Sequence, residues 1–108
     1  MVKQYGQDCP VARTLDIVGE RWTLLILRDL FLFGRRRFHD FEESLSGIGP
    51  NTLSARLQRL ENEGIVERHF YSTHPPRAEY ALTAKGRSLG PVLRALKVWG
   101  ERHAPAKP

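Results

Sequence analysis

The sequence predicts a small, mostly helical α+β domain, and three observations carry that prediction. The chain has 108 residues, which suits one compact domain and is too short for two. Apolar residues recur at helical spacing as far as Gly64, and a β-branched and aromatic stretch with a turn follows. Helical spacing then returns. We therefore expect residues 1–108 to form a single domain of helices and one β-hairpin.

Three helices are expected in the first half of the chain. The first starts at Cys9-Pro10, because proline suits the first helical position, and it ends at Gly19. The second contains the segment WTLLILRDLFLF and ends at Gly34; it is apolar on nearly every side, so we expect it to be buried on most sides. The third is short and covers residues 38–45.

A tight turn and a fourth helix come next. The sequence SGIG at residues 46–49 supplies the turn, and Pro50 opens a helix that ends at Gly64. Its leucines are spaced i, i+4 and i+7, so they share one face and leave the polar positions pointing away from the core. A short helix, a glycine-containing turn and a second helix form a helix-turn-helix, whose second helix can enter the major groove of DNA.

The second half of the chain predicts a hairpin and a last helix. Residues 65–71 and 79–82 are expected to pair as strands around a long tip at residues 72–77. Thr83 can cap the last helix, which Pro91 should kink or restart near Gly90. Residues 104–108 are expected to be a frayed tail. This order of elements is that of a winged helix-turn-helix, in which the hairpin is the wing.

The charge pattern favours nucleic acid as the partner. The formal net charge is +5, and neither Asp nor Glu occurs in residues 44–60 or 68–78, the two segments that a winged helix presses against DNA. We expect base edges to be read by Asn51, Thr52, Ala55 and Arg59, and phosphates to be bound by Ser54 and Arg56. Arg77 at the wing tip suits a phosphate or the minor groove. Two alternatives stay open: a surface ion pair for Arg56 and a solvated loop charge for Arg77.

Other chemistries have little support in the sequence. It contains no nucleophile elbow, P-loop, HExxH motif or paired CxxC motif, so we expect no enzyme, no cofactor and no metal. His69 and His74 lie in a strand and a proline-rich tip, which is a poor arrangement for ligating a metal together. The single cysteine and the absence of a long apolar segment predict a cytoplasmic protein that does not enter a membrane.

Several motifs in fixed order resemble the HxlR-type bacterial transcriptional regulators. They are Cys9-Pro10-Val11-Ala12, the run GERWTLLILRDL from Gly19 to Leu30, Arg37-Phe38, Gly47-Ile48, Leu53-Ser54-Ala55-Arg56-Leu57, Gly64-Ile65-Val66, Pro76-Arg77-Ala78-Glu79-Tyr80 and Leu82-Thr83. The resemblance implies a homodimeric repressor or activator that acts on promoter DNA and dimerises through its first and last helices. Gly49 departs from the pattern, since such proteins often have Ser there. Some members sense oxidants or electrophiles through a cysteine at the position of Cys9.

Three hypotheses follow. The protein is a homodimer that buries Val11, Leu15 and Val18 of the first helix and Leu93, Leu96 and Trp99 of the last helix, and it reads a pseudo-palindromic operator. Cys9 is a thiol switch for a small electrophile or oxidant, because a helix start favours the thiolate; the alternative is that Cys9 is only a small helix-start residue. The rival function is a winged-helix protein-interaction module without DNA affinity.

Overall fold

The computed structural model describes residues 9–107 and confirms the predicted order of helices and hairpin, with one added strand. The helices are α1 (Pro10–Val18), α2 (Arg21–Phe33), α3 (Phe38–Ser44), α4 (Pro50–Asn62), α5 (Ala84–Arg87) and α6 (Gly90–His103). The strands are β1 (Arg36–Arg37), β2 (Val66–Thr73) and β3 (Pro76–Leu82). Residues 1–8 and 108 of the predicted domain and tail lie outside the described residues. No helix in the described part is long and apolar enough to cross a membrane.

The helix starts follow local chemistry. The Cys9 sulfur accepts a hydrogen bond from the backbone N–H of Ala12 at 3.3 Å, and Pro10 occupies the first position of α1. Glu20 caps α2 by accepting from the N–H of Thr23 at 3.0 Å. Thr83 caps the single turn of α5, and α6 restarts at Gly90, directly before the proline that was expected to break the helix.

One apolar cluster holds α2, α3, α4 and the base of the hairpin together. It consists of Val18, Ile26, Leu27, Leu30, Phe41, Leu45, Leu53, Leu57, Leu60, Ile65 and Val66. Burying a side chain of this kind stabilises the fold by about 1.5 to 3 kcal/mol. The three leucines of α4 are all in this cluster, as predicted, so the opposite face of α4 points outward.

The sheet is antiparallel with strand order β1-β3-β2. Residues 35–37 are a run of three arginines, and two of them form β1, in which Arg36 and Arg37 pair with Tyr80 and Glu79 of β3. The predicted long wing tip is wrong: Thr73 pairs with Pro76, so only two residues remain at the tip. Backbone pairing extends the strands farther than their side-chain pattern indicated.

The outer end of α2 also differs from the prediction of burial on most sides. Phe31, Leu32 and Phe33 are exposed, although α2 is buried around Ile26 and Leu27. This end of α2 lies beside the start of α6, where a Cβ added to Gly90 would stand 3.5 Å from the Phe31 ring. The structure therefore leaves an apolar surface beside α6 within the single chain.

A buried carboxylate joins α2 to α3 and β1. Asp29 is fully buried, accepts a short hydrogen bond from the Ser44 hydroxyl and pairs with Arg28 at 2.9 Å. The Nη2 of Arg36 lies 3.8 Å from its other oxygen. A buried charge needs such partners because desolvation is costly. Asp29 thereby fixes the last turn of α3, the first helix of the helix-turn-helix.

Candidate nucleic-acid interface

The exposed side of α4 is the central feature of the candidate interface. Asn51, Ser54 and Ala55 are exposed, and Thr52 is half-buried, so four of the predicted DNA-binding residues lie together on the first two turns. The turn before α4 uses Gly47 with a φ of 93°, a conformation that glycine adopts readily. The start of α4 also offers unpaired N–H groups that attract phosphate.

Arg56 is paired within the protein. Its Nε donates to Oε1 of Glu20 at 2.8 Å, so the alternative of a surface ion pair describes its position in this structure. Burial disfavours the charged form of Glu20, but hydrogen bonds from the Thr23 N–H and from Arg56 outweigh it, and the pKa of Glu20 is lowered. Arg56 therefore anchors α4 to the start of α2, and only its remaining N–H groups are available for a phosphate.

Arg59 has two partners within the chain. Its Nε donates to Oε2 of Glu63 at 3.1 Å, and its Nη2 donates to the backbone oxygen of Asp16 at 3.1 Å. Glu63 is one helical turn away, within easy reach, and the last turn of α1 has carbonyl groups that lack helical donors. Arg59 thus fastens α4 to the end of α1 in this structure, and its predicted contact with base edges stays a prediction.

The other flank of α4 is paired with the wing. The Nε of Arg68 in β2 donates to Oε2 of Glu61 at 2.9 Å. The sequence did not predict this contact, because the two residues are seven positions apart and belong to different elements. Their distance in space depends on the turn between α4 and β2. The pair sets the position of the wing against α4.

The wing presents one unpaired cation. Arg77 in β3 is exposed and lies opposite Ser72, close to the tip, and it has no side-chain partner among residues 9–107. The basic run at residues 35–37 behaves differently. Arg35 and Arg37 approach Glu79 at 4.0 and 3.7 Å, and the Arg37 guanidinium lies 4.3 Å from the centroid of the Tyr71 ring.

The two histidines of the hairpin have separate partners. His69 contacts Glu67 at 2.7 Å, and His74 contacts the hydroxyl of Thr73 at 3.0 Å. Within the described ranges, no three His, Cys, Asp or Glu side chains are grouped so that they could hold a metal ion.

The residues predicted to form the dimer interface divide into two groups. Val11 and Leu15 of α1 and Leu96 and Trp99 of α6 are exposed. Val18 is only 4% exposed because it packs into the core, so the structure contradicts its place at an interface. Leu93 is half-buried and also packs against the core.

Comparison with known proteins agrees with this arrangement. The family model of the HxlR-like helix-turn-helix matches residues 17–108. The HTH-type transcriptional regulator sll1512 of Synechocystis sp. is 42% identical over 95 residues, which is 88% of this chain and 70% of that protein.

Solved structures agree as well. The redox regulator HypR in its oxidized form is 37% identical, with a TM-score of 0.82 over 91% of this chain and 100% of the other. The reduced form of the transcriptional regulator YodB from B. subtilis is 31% identical, with a TM-score of 0.75 over 94% of this chain and 100% of the other. This chain belongs to the HxlR-like helix-turn-helix family of transcriptional regulators.

Proposed function

We propose that this chain binds promoter DNA in a sequence-specific manner as a homodimer and carries no catalytic activity. The observation that supports this binding mode best is the distribution of charged residues along the chain. The outward side of α4 is polar, the wing has an unpaired arginine, and the sequence has no carboxylate in residues 44–60 or 68–78. A phosphate backbone can approach both segments without repulsion.

The individual roles follow from the positions of the side chains. Asn51 and Ala55 are exposed near the start of α4, Thr52 lies half-buried beside them, and all three suit base edges in the major groove. Ser54 and Arg77 suit phosphates, and Arg56 can reach a phosphate with the N–H groups that Glu20 leaves free. Arg59 lies farther along α4, where it anchors the helix to α1 and can reach a base edge if DNA displaces these partners.

Exposed apolar surface supports the homodimer. Val11 is 69% exposed and Trp99 is 63% exposed, which is unusual for large apolar side chains. An open cleft of about 1190 Å³ between α2 and α6 adds Phe31, Leu32 and Val98 to this surface. Pairing α1 and α6 with a second copy about a two-fold axis would bury these side chains. The dimer would then read a pseudo-palindrome with half-sites about one helical turn or a multiple apart.

Cys9 is the proposed point of control. Two relatives, HypR and YodB, were solved in named redox states, and HypR is described as a redox regulator. The Cys9 sulfur lies at the start of α1, where it is only partly buried and accepts a hydrogen bond from the N–H of Ala12.

The chain has one cysteine, so a Cys9–Cys9 bond must join two subunits. Each thiol then gives up one proton and one electron to an oxidant such as diamide, which is reduced to the hydrazine. A mixed disulfide, an oxidised sulfur or an alkyl adduct are the other products.

Binding of wild-type protein to a double-stranded oligonucleotide library at several salt concentrations tests the proposal. We expect enrichment of a pseudo-palindrome and an affinity that falls steeply as salt rises. A winged-helix module that binds only proteins would enrich no sequence, and its weak retention of DNA would not depend on the base order. That result would reject DNA-binding function.

A further inference from the structure

Four side chains of α4 form a strip that points most directly away from the core. At about 100° per residue, Asn51, Ala55, Gln58 and Asn62 point about 140° to 200° away from the direction of Leu53, and all four are exposed. On one side of the strip, Arg56 and Arg59 are held by Glu20, Glu63 and Asp16. On the other side, Glu61 is held by Arg68.

Gln58 is oriented by a neighbour on the same strip. Its Nε2 donates to Oδ1 of Asn62 at 3.1 Å, one helical turn farther along α4. This bond uses one of the two amide hydrogens of Gln58 and leaves the second hydrogen and the carbonyl oxygen free. A side chain held in this way loses less conformational freedom when it binds DNA than a freely rotating one.

The chemistry of the strip is uniform. It carries three carboxamides and one methyl group, and none of its side chains is charged. In the major groove, a carboxamide can accept from N6 and donate to N7 of adenine, whereas bidentate contacts to guanine use Arg or Lys. The methyl group of Ala55 can contact the methyl group of thymine.

Asn51 and Gln58 are separated by seven residues, or about 10.5 Å along the helix axis. This rise corresponds to about three base-pair steps of about 3.4 Å. Both carboxamides can therefore contact bases of the same half-site.

We propose that Gln58, positioned by Asn62, is a specificity-determining residue that reads an adenine, and that the half-site under α4 is defined by A·T pairs. This inference rests on the proposed DNA-binding function. It adds the class of base that α4 recognises and a contact residue outside the first two turns of the helix.

The test is selection from a randomised duplex library with wild type, Gln58→Ala, Asn62→Ala and the double variant. We expect wild type to enrich an adenine at one position. Gln58→Ala should no longer distinguish the bases at that position, and its affinity for the wild-type sequence should fall by about 5- to 150-fold. Asn62→Ala should cause a smaller loss at the same base pair, and the double variant should match Gln58→Ala. Alanine favours helix, so α4 should remain intact.

Ser54→Ala is the matched control, because it lies on α4 outside the strip and should weaken binding to all sequences alike. A guanine at the position that depends on Gln58 would overturn the inference. So would an unchanged base preference in Gln58→Ala while wild type still enriches a site. Failure of wild type to enrich any duplex would instead reject the DNA-binding function, and this inference with it.

Discussion

The Nε of Arg56 donates to Oε1 of Glu20 at 2.8 Å, joining two side chains that are 36 positions apart in the sequence. The same Glu20 oxygen accepts the N–H of Thr23 at 3.0 Å and so caps α2. One carboxylate thus fixes the start of the central helix and the position of α4. Loss of its charge should affect both.

Acid should therefore weaken the fold through Glu20. Because the pKa of Glu20 is lower in the folded state, the stabilisation is present above the ordinary pKa of a glutamate and is lost as the pH falls through the folded-state pKa. Urea unfolding of wild type and Glu20→Gln between pH 7 and pH 3 should show a difference that shrinks in acid. Glu42→Gln, at an exposed position of α3, is the control; a constant difference for Glu20→Gln across this range would contradict the prediction.

The buried Asp29 should be among the most sensitive positions for stability. Asp29→Ala leaves the Ser44 hydroxyl without its acceptor and the mostly buried Arg36 without a counter-charge, so we expect a loss of about 3 kcal/mol. Ser44→Ala removes only the hydroxyl and should cost about 1 kcal/mol. Denaturant titration measures both. Equal losses would show that Asp29 acts only through Ser44.

Arg77 should anchor the wing to DNA. Replacing Arg77 with Ala is expected to weaken binding to selected and scrambled duplexes by the same factor and to reduce the salt slope by about 1. Lys107→Ala removes the same charge beyond the end of α6 and should change neither property. DNA titrations at several salt concentrations measure the affinity and its salt dependence. An unchanged salt slope for Arg77→Ala would show that the wing does not touch phosphate.

The homodimer should depend on Trp99. A charge at this exposed position of α6 would have to be buried at the proposed interface, so Trp99→Glu is expected to yield monomers at micromolar concentration. Sedimentation velocity provides the measurement. Phe70→Glu, at an exposed aromatic of β2, should leave the dimer intact; a monomeric wild type would rule the interface out.

Cys9→Ser should separate sensing from folding. Serine caps helices well, so the variant should fold and bind the selected duplex like wild type. Diamide should then change the DNA affinity of wild type but not of the variant. If wild-type affinity is unmoved when mass spectrometry shows Cys9 to be fully modified, the switch does not exist.

Local signals in the sequence account for most of the fold. Proline and glycine positions located the helix ends, and the leucine spacing of α4 identified its buried face. The strand β1 could not be foreseen, because two residues are too few to show a periodicity. Its pairing partners, Tyr80 and Glu79, also lie far away along the chain. Val18 was assigned to the wrong surface, since apolar spacing does not distinguish packing within the chain from packing against a second copy.

The candidate site was predictable only in part. The exposed positions of α4 follow from helical geometry, whereas the partners of its arginines depend on distant segments. The spacing of Arg59 and Glu63 was a visible sign of an ion pair. The contact of Arg59 with the Asp16 carbonyl was not, because it depends on how α1 packs against α4.

That contact fixes α1 at the end next to α4 and leaves Cys9 at the opposite end. The two positions are seven residues apart, so about 10.5 Å of rigid helix separates them. A shift of about 2 Å at Cys9 corresponds to a tilt of α1 by about 10° about Asp16. Such a tilt would turn the Asp16 carbonyl to which Arg59 is bonded, so this contact links a displacement at the sulfur to the side of α4 that carries Arg59.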